Sequence, residues 1–293
     1  MYLEKFIVYL TKEKQMSKNS IDAYRRDVAE YIEFCNGRGI FDVANTTNTE
    51  VVAYLFMLKN GEKSAATINR KLASIRAFYN YLSELKVVNE NPTLGIKSPK
   101  VERKEIEFLT IEEIDKLLSL PEKNLKGYRD KAILEILYAT GIRVNELISA
   151  NLEDVNLRIG FFTCPGDSGK ARIVPLGRPA RKAVETYLED ARDMFVKNDR
   201  DEKALFVNYC GQRMTRQGLW KILKTYGKKA GFEQKITPHI LRNSFAVHMA
   251  QNGADLKSLQ ELLGHEDISA TQIYLSVTKN RIKDVYDKTH PRA

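Results

Sequence analysis

Apolar residues in the first third of the chain recur at helical spacing. After Ser64, the positions Ile68, Leu72, Ile75, Tyr79 and Leu82 follow one another at intervals of three and four, which places them on one face of an α-helix. Arg70, Lys71 and Arg76 fall between them and read as the outer surface of that helix. Upstream, Ser17 or Ser20 can cap a helix running through Tyr24, Val28, Tyr31 and Ile32 to Asn36-Gly37, because a serine hydroxyl accepts from the free N–H groups of the first turn. A further helix is expected over residues 49–59, stopped by Asn60-Gly61. With the apolar stretch at the N-terminus, residues 1–96 read as a bundle of about four helices with basic residues outside.

The pattern then breaks. Residues 97–108 contain Lys97-Ser98-Pro99-Lys100 and further charges without a core-facing period, so they read as a basic linker. Thr110-Ile111-Glu112-Glu113 has the form of a capping box. A helix over residues 128–139 ends at Thr140-Gly141, where glycine can adopt the left-handed conformation, and another begins near Val144. Two β-like runs, residues 158–163 and 171–174, flank Pro165-Gly166-Asp167-Ser168-Gly169 and predict a hairpin. Residues 179–195 read as helix, 204–207 as a short strand, and nearly all that follows as helix. The expected fold is mainly α in two domains. A mostly helical α+β domain with a small antiparallel sheet fills residues 109–293.

Composition narrows the class. The 293 residues suit two independently packed cores, and no apolar run approaches the ~18–20 residues that a membrane-spanning helix needs. The N-terminus has neither a basic leader nor a small-residue cleavage site, so the expectation is a soluble protein of the cell interior. Cys35, Cys164 and Cys210 are far apart and read as reduced thiols, not as a disulfide framework or a zinc site. Lys and Arg outnumber Asp and Glu by 47 to 38. That excess points to a polyanion, nucleic acid or an anionic membrane face, gripped along a broad folded surface.

Six residues of the second domain could carry chemistry. His239 and Arg242 share a helix face at i, i+3 after Pro238, an arrangement that suits an oxyanion but is common in helices. Leu263-Gly264-His265 ends a helix and leaves His265 on the turn, and Tyr274 follows nine residues later. Arg143 sits at a helix N-terminus, and Lys170 lies just past the hairpin turn. Singly these are a surface arginine, a solvated turn lysine and a half-buried core tyrosine. Together they make a phosphate-directed set, provided the fold assembles them. The chain lacks carboxylate pairs at metal-ligand spacing, a Walker glycine loop, a G-x-S-x-G elbow and a credible cysteine nucleophile. Phosphoryl chemistry without a metal would draw its charge stabilisation from Arg, Lys and His.

The residues that carry a family resemblance are Ala139-Thr140-Gly141-Ile142-Arg143-Val144-Asn145-Glu146-Leu147, Gly169-Lys170-Ala171-Arg172-Ile173-Val174-Pro175-Leu176, His239-Ile240-Leu241-Arg242, and Leu263-Gly264-His265 with Tyr274. In order and spacing they resemble the tyrosine recombinase (phage integrase) family, and nearly the whole chain is similar to its Xer-type members. The resemblance implies an N-terminal SAM-like core-DNA-binding domain, and the net charge of +9, the basic helix around Arg70, Lys71 and Arg76 and the basic linker make those three residues the expected DNA contacts. It implies that Tyr274 attacks a scissile phosphodiester to give a 3′-phosphotyrosyl link and a free 5′-hydroxyl. Arg143 and Arg242 would clamp the non-bridging oxygens, and Lys170 would protonate the leaving 5′-oxygen. His239 would assist proton transfer at the tyrosine, and His265 would hydrogen-bond the phosphate.

The implied partners are double-stranded DNA with paired half-sites and further recombinase protomers in a homo- or hetero-tetramer, with a DNA translocase as a candidate regulator. The implied setting is cytoplasmic, and the implied task is chromosome-dimer resolution at a dif-like site. After Tyr274, Ile282, Val285 and Tyr286 form an apolar stripe suited to a docking groove on its own domain or, as the resemblance implies, on a neighbouring subunit. The chain departs from the usual family pattern at Asp167, at Asn243-Ser244 where His-Thr is usual, and at Leu275-Ser276. Three other readings stay open: integrase of a mobile element, a type IB topoisomerase-like enzyme, and a non-catalytic DNA-binding paralogue.

Overall fold

The structure, a computed structural model, describes residues 2–100, 105–164, 171–196, 202–265 and 269–274. The hairpin turn with Lys170 and the apolar stripe at Ile282, Val285 and Tyr286 lie outside the described residues. The chain forms two compact units, Met1–Lys104 and Glu105–Ala293. Their boundary falls inside the segment expected to be a linker.

The first unit packs four helices, α1 (Tyr2–Lys12), α2 (Lys18–Gly37), α3 (Asn48–Asn60) and α4 (Ala65–Glu84). Ser17, not Ser20, caps α2, accepting from the Ser20 amide at 3.3 Å. Thr47 and Glu50 close a capping box on α3. Phe6, Val28, Tyr31, Tyr54, Leu72, Ile75, Phe78, Tyr79 and Leu82 are fully buried, as the periodicity of α4 requires. Lys71 corrects the expected basic exterior. It is only 6% exposed, with its ammonium 2.5 Å from Glu30 and 3.6 Å from Asp27 of α2. Arg70 pairs with the same Asp27, which also accepts from the Ser74 hydroxyl at 2.8 Å. Asp27 is buried where α2 meets α4, so the basic residues flanking that seam are drawn in to neutralise it. Arg76 donates to the Ile96 carbonyl and to the Ser98 hydroxyl. The beginning of the predicted linker is thereby tied back onto α4.

In the second unit, α5 (Ile111–Ser119) starts at the predicted capping box of Thr110 and Glu113. Helix α6 (Leu125–Thr140) begins three residues earlier than expected, because the Asn124 side chain accepts from the Gly127 amide at 2.8 Å and caps it. Ile133, Leu134, Ile136 and Leu137 are all buried, as are the charged Arg129, Asp130 and Glu135 on the same helix, so α6 runs through the core. At its end Gly141 takes φ +56°, and a Cβ there would stand 2.5 Å from the Phe245 ring. That turn launches α7 (Val144–Ser149).

The sheet is antiparallel in the order β1 (Val155–Asn156), β2 (Phe161–Cys164), β3 (Arg172–Pro175), with Phe162 opposite Val174 and Cys164 opposite Arg172. The first strand was not expected, and residues 157–160 form the turn that joins it to β2. Residues 204–207 form no strand. Only isolated bridges occur there, Asn151 to Ala204 and Val207 to Arg213. Helix α8 (Arg178–Tyr187) continues through a π turn at Leu188–Arg192 into the single turn α9 (Asp193–Phe195). Then follow α10 (Arg216–Ala230), α11 (Pro238–Gln251), α12 (Leu256–Leu263) and α13 (Ser269–Gln272). No described helix is long and apolar enough to cross a membrane.

Candidate active site

The site is organised around the C-terminus of α12. The last carbonyls of a helix have no partner within it, and the helix dipole makes that end negative. Here three consecutive carbonyls each accept from a different arginine. Leu262 O takes Arg172 Nε, Leu263 O takes Arg242 Nη2 and Gly264 O takes Arg143 Nη2, each at 2.7 Å. Gly264 makes this possible, since its φ is +63° and a Cβ would stand 3.0 Å from the Arg172 side chain. Arg143 arrives from the start of α7, Arg172 from β3 and Arg242 from the first turns of α11.

Glu146 balances part of this charge. It is 1% exposed, and its Oε1 accepts from Arg143 Nη1 at 2.9 Å and Arg172 Nη1 at 2.7 Å. Its Oε2 accepts from Arg172 Nη2 at 2.9 Å and from the Arg143 amide at 2.8 Å. Burial pushes the carboxyl upward, but the hydrogen bonds from Arg172 and Arg143 outweigh it, and its pKa lies below the ordinary value. Among the described residues, three guanidinium groups face one carboxylate at the end of α12, an excess of positive charge that suits a phosphate.

Arg242 is 6% exposed and also donates to Gly141 O at 2.6 Å. Burial, then the charges of Arg143 and Arg172, lower its pKa to about 10, so it remains a cation at neutral pH. Its Nη2 lies 2.8 Å from His265 Nε2. A guanidinium has no lone pair to offer, so Nε2 is the acceptor and the ring proton sits on Nδ1, which donates to Thr271 Oγ1 at 2.9 Å. Burial and the three arginines lower the His265 pKa to about 4, which keeps the ring neutral. His239 stands exposed one turn before Arg242, and desolvation of its ring, then the Arg242 charge, hold its imidazole below the usual value.

Tyr274 is 2% exposed, and its hydroxyl donates to Asn243 Oδ1 at 3.1 Å. Burial pushes its phenol upward, and the Arg242 charge offsets part of the effect. The structure thus brings together Arg143, Arg242 and His265, with His239 on the helix of Arg242 and Tyr274 in the sphere of its charge. Sequence reasoning passed over Glu146, Arg172 and Asn243 as members of the site. The first is three residues after Arg143, the spacing of a capping box, and the signal was there. Arg172 offers none until the fold places β3 beside α12. Asn243 stood out only as a departure from the family pattern.

Residues 107–281 match the model of the phage integrase family, and residues 3–86 match that of the phage integrase N-terminal SAM-like domain. The tyrosine recombinase XerD of Oceanobacillus iheyensis is 45% identical over 99% of this chain and 98% of its own length. That of Listeria monocytogenes is 42% identical over 99% of both. Among solved structures, the XerA recombinase covers 100% of this chain and 99% of its own at 27% identity, with a TM-score of 0.56. XerH bound to a palindromic difH substrate reaches a TM-score of 0.76 at 22% identity, covering 97% of this chain and 82% of its own. Both units are spanned by these matches, and the chain belongs to the phage integrase family as a site-specific tyrosine recombinase.

Proposed function

We propose that Tyr274 is the nucleophile of this recombinase and that Arg143 and Arg242 bind the scissile phosphate. The observation that carries the reading is the end of α12, where successive carbonyls hold three arginines beside His265, nine residues before the tyrosine. Tyr274 Oη forms a bond to phosphorus, and the bond from phosphorus to the 5′-oxygen breaks. The tyrosyl proton leaves with help from His239, and Lys170 supplies a proton to the departing 5′-oxygen. The non-bridging oxygens rest on the arginine N–H groups, and the neutral His265, held by Thr271, accepts from Arg242 and so orients that guanidinium. The 3′-phosphotyrosyl ester conserves the bond energy, so a 5′-hydroxyl from a second strand reverses the step without ATP or metal.

The relatives called XerD, with full-length matches, support a Xer-type role: resolution of chromosome dimers at a dif-like site by a tetramer on paired half-sites, in the cytoplasm, with a DNA translocase as candidate regulator. The first unit grips duplex DNA largely through phosphates. Of its three predicted contacts, Arg70 pairs with Asp27 but keeps half of its side chain exposed and so is the one suited to reach a backbone, while Lys71 is buried against Asp27 and Glu30. Two-site recombination on a dif-like plasmid tests the role. Native protein resolves the plasmid and Tyr274→Phe does not; relaxation of supercoils without exchange would favour a topoisomerase, and exchange only at mobile-element ends would favour an integrase.

A further inference from the structure

The Tyr274 hydroxyl is buried and already engaged. Its acceptor, Asn243, follows Arg242 on α11 and is itself 5% exposed. The amide orientation is fixed, because Asn243 Nδ2 donates to the Glu107 carbonyl at 3.1 Å, which turns Oδ1 toward the tyrosine. Glu107 lies in the segment that opens the second unit, and this segment is bound there twice more. Leu109 N donates to Ser244 Oγ at 2.8 Å, and Ile106 and Phe108 pack against the small apolar cluster of Phe245, Val247, Leu259, Leu263 and Tyr274.

A carboxamide oxygen accepts a hydrogen bond but takes no proton at neutral pH. A phenol that donates to it is held neutral, because ionisation would forfeit the bond and set an oxyanion against the amide dipole. We propose that Asn243 is a positioning residue that restrains the nucleophile, holding the Tyr274 hydroxyl as a buried donor until it turns toward the phosphate. Attack requires that hydroxyl to leave Asn243, since the proton it loses has nowhere to go on the amide. The Glu107 bond ties the restraint to the backbone just after the boundary between the two units.

This inference rests on Tyr274 being the nucleophile, and the experiment separates the two. Covalent adduct formation on a nicked half-site duplex is followed from pH 6 to pH 10 for the full-length native protein, Asn243→Ala and Asn243→Ser, beside Tyr274→Phe as the blank. Both Asn243 variants should bind the half-site with native affinity and cleave about fivefold faster at pH 7, the factor that one ordinary hydrogen bond is worth. Their alkaline rise in rate should begin at lower pH. Serine keeps a polar group in the buried position but is too short to bridge Tyr274 and Glu107, so a poorly folded alanine variant does not decide the result. Slower cleavage, or an unchanged pH profile, in the well-folded variant overturns the restraint. An adduct that persists in Tyr274→Phe overturns the nucleophile instead.

Discussion

Arg143 and Arg172 share one buried carboxylate, with Glu146 Oε1 2.9 Å from the first and 2.7 Å from the second. The two arginines come from a helix start and from a strand, so the carboxylate fixes the distance between elements that no local rule relates. Glu146→Gln keeps the shape but loses the charge and half of the acceptor capacity. It should cost the second unit about 3 kcal/mol, the scale for breaking a buried ion pair by removing one partner. Cleavage should fall at least tenfold while half-site binding through the first unit persists. Thermal unfolding and adduct formation, measured on the same preparation, check both.

His265 makes a pH prediction. Its folded pKa is about 4, below an unfolded value near 6.5, so the folded state resists the proton that the unfolded state accepts. The stability this residue contributes is complete above about pH 6.5 and drains away as pH falls toward 4. Denaturant titrations at pH 7.5 and pH 4.5 should show a smaller acid loss in His265→Gln than in native protein. Equal losses would mean that the ring is not held neutral.

The first unit separates two basic neighbours on α4. Lys71 is buried on Asp27 and Glu30, whereas the Arg70 side chain is half exposed. Arg70→Ala should lower the slope of log affinity against log salt by about one, as loss of one phosphate contact does. Lys71→Ala should leave that slope unchanged and lower the unfolding temperature, because Asp27 loses a buried partner. The opposite pattern would mean that Lys71 turns outward to DNA.

The difference between these neighbours also marks where the sequence stops being readable. The apolar stripe of α4, the Thr110 capping box and the glycine stops at Gly141 and Gly264 depend on residues within a turn or two of one another, and each was legible. The series Arg143, His239, Arg242, His265 and Tyr274 stood out because its members recur in a family order, and the structure places Arg143, Arg242 and His265 together. Lys71 was misread because helical spacing places a residue on a face but not against Asp27 of another helix. Arg172 and Asn243 were missed for the same reason. Their partners are Glu146 and Leu262 for one and Tyr274 and Glu107 for the other, all distant in sequence.

Charge stabilisation and proton transfer by arginine, lysine and histidine side chains predict indifference to chelators. Adduct formation on a nicked half-site should be equal with and without EDTA and should require no ATP. A loss in EDTA that magnesium restores would place a metal in the reaction.

The most direct test of the account is the chemical identity of the covalent link. Native protein, trapped on a half-site nicked so that the short downstream fragment bearing the 5′-hydroxyl diffuses away, is digested with protease and nuclease, and the surviving peptide–nucleotide adduct is sequenced by mass spectrometry. The account predicts one modified peptide containing Ile273-Tyr274, with Tyr274 esterified to a 3′-phosphate and a free 5′-hydroxyl on the released strand. A phosphoryl group on any other residue, or a 5′-phosphate link, would contradict it.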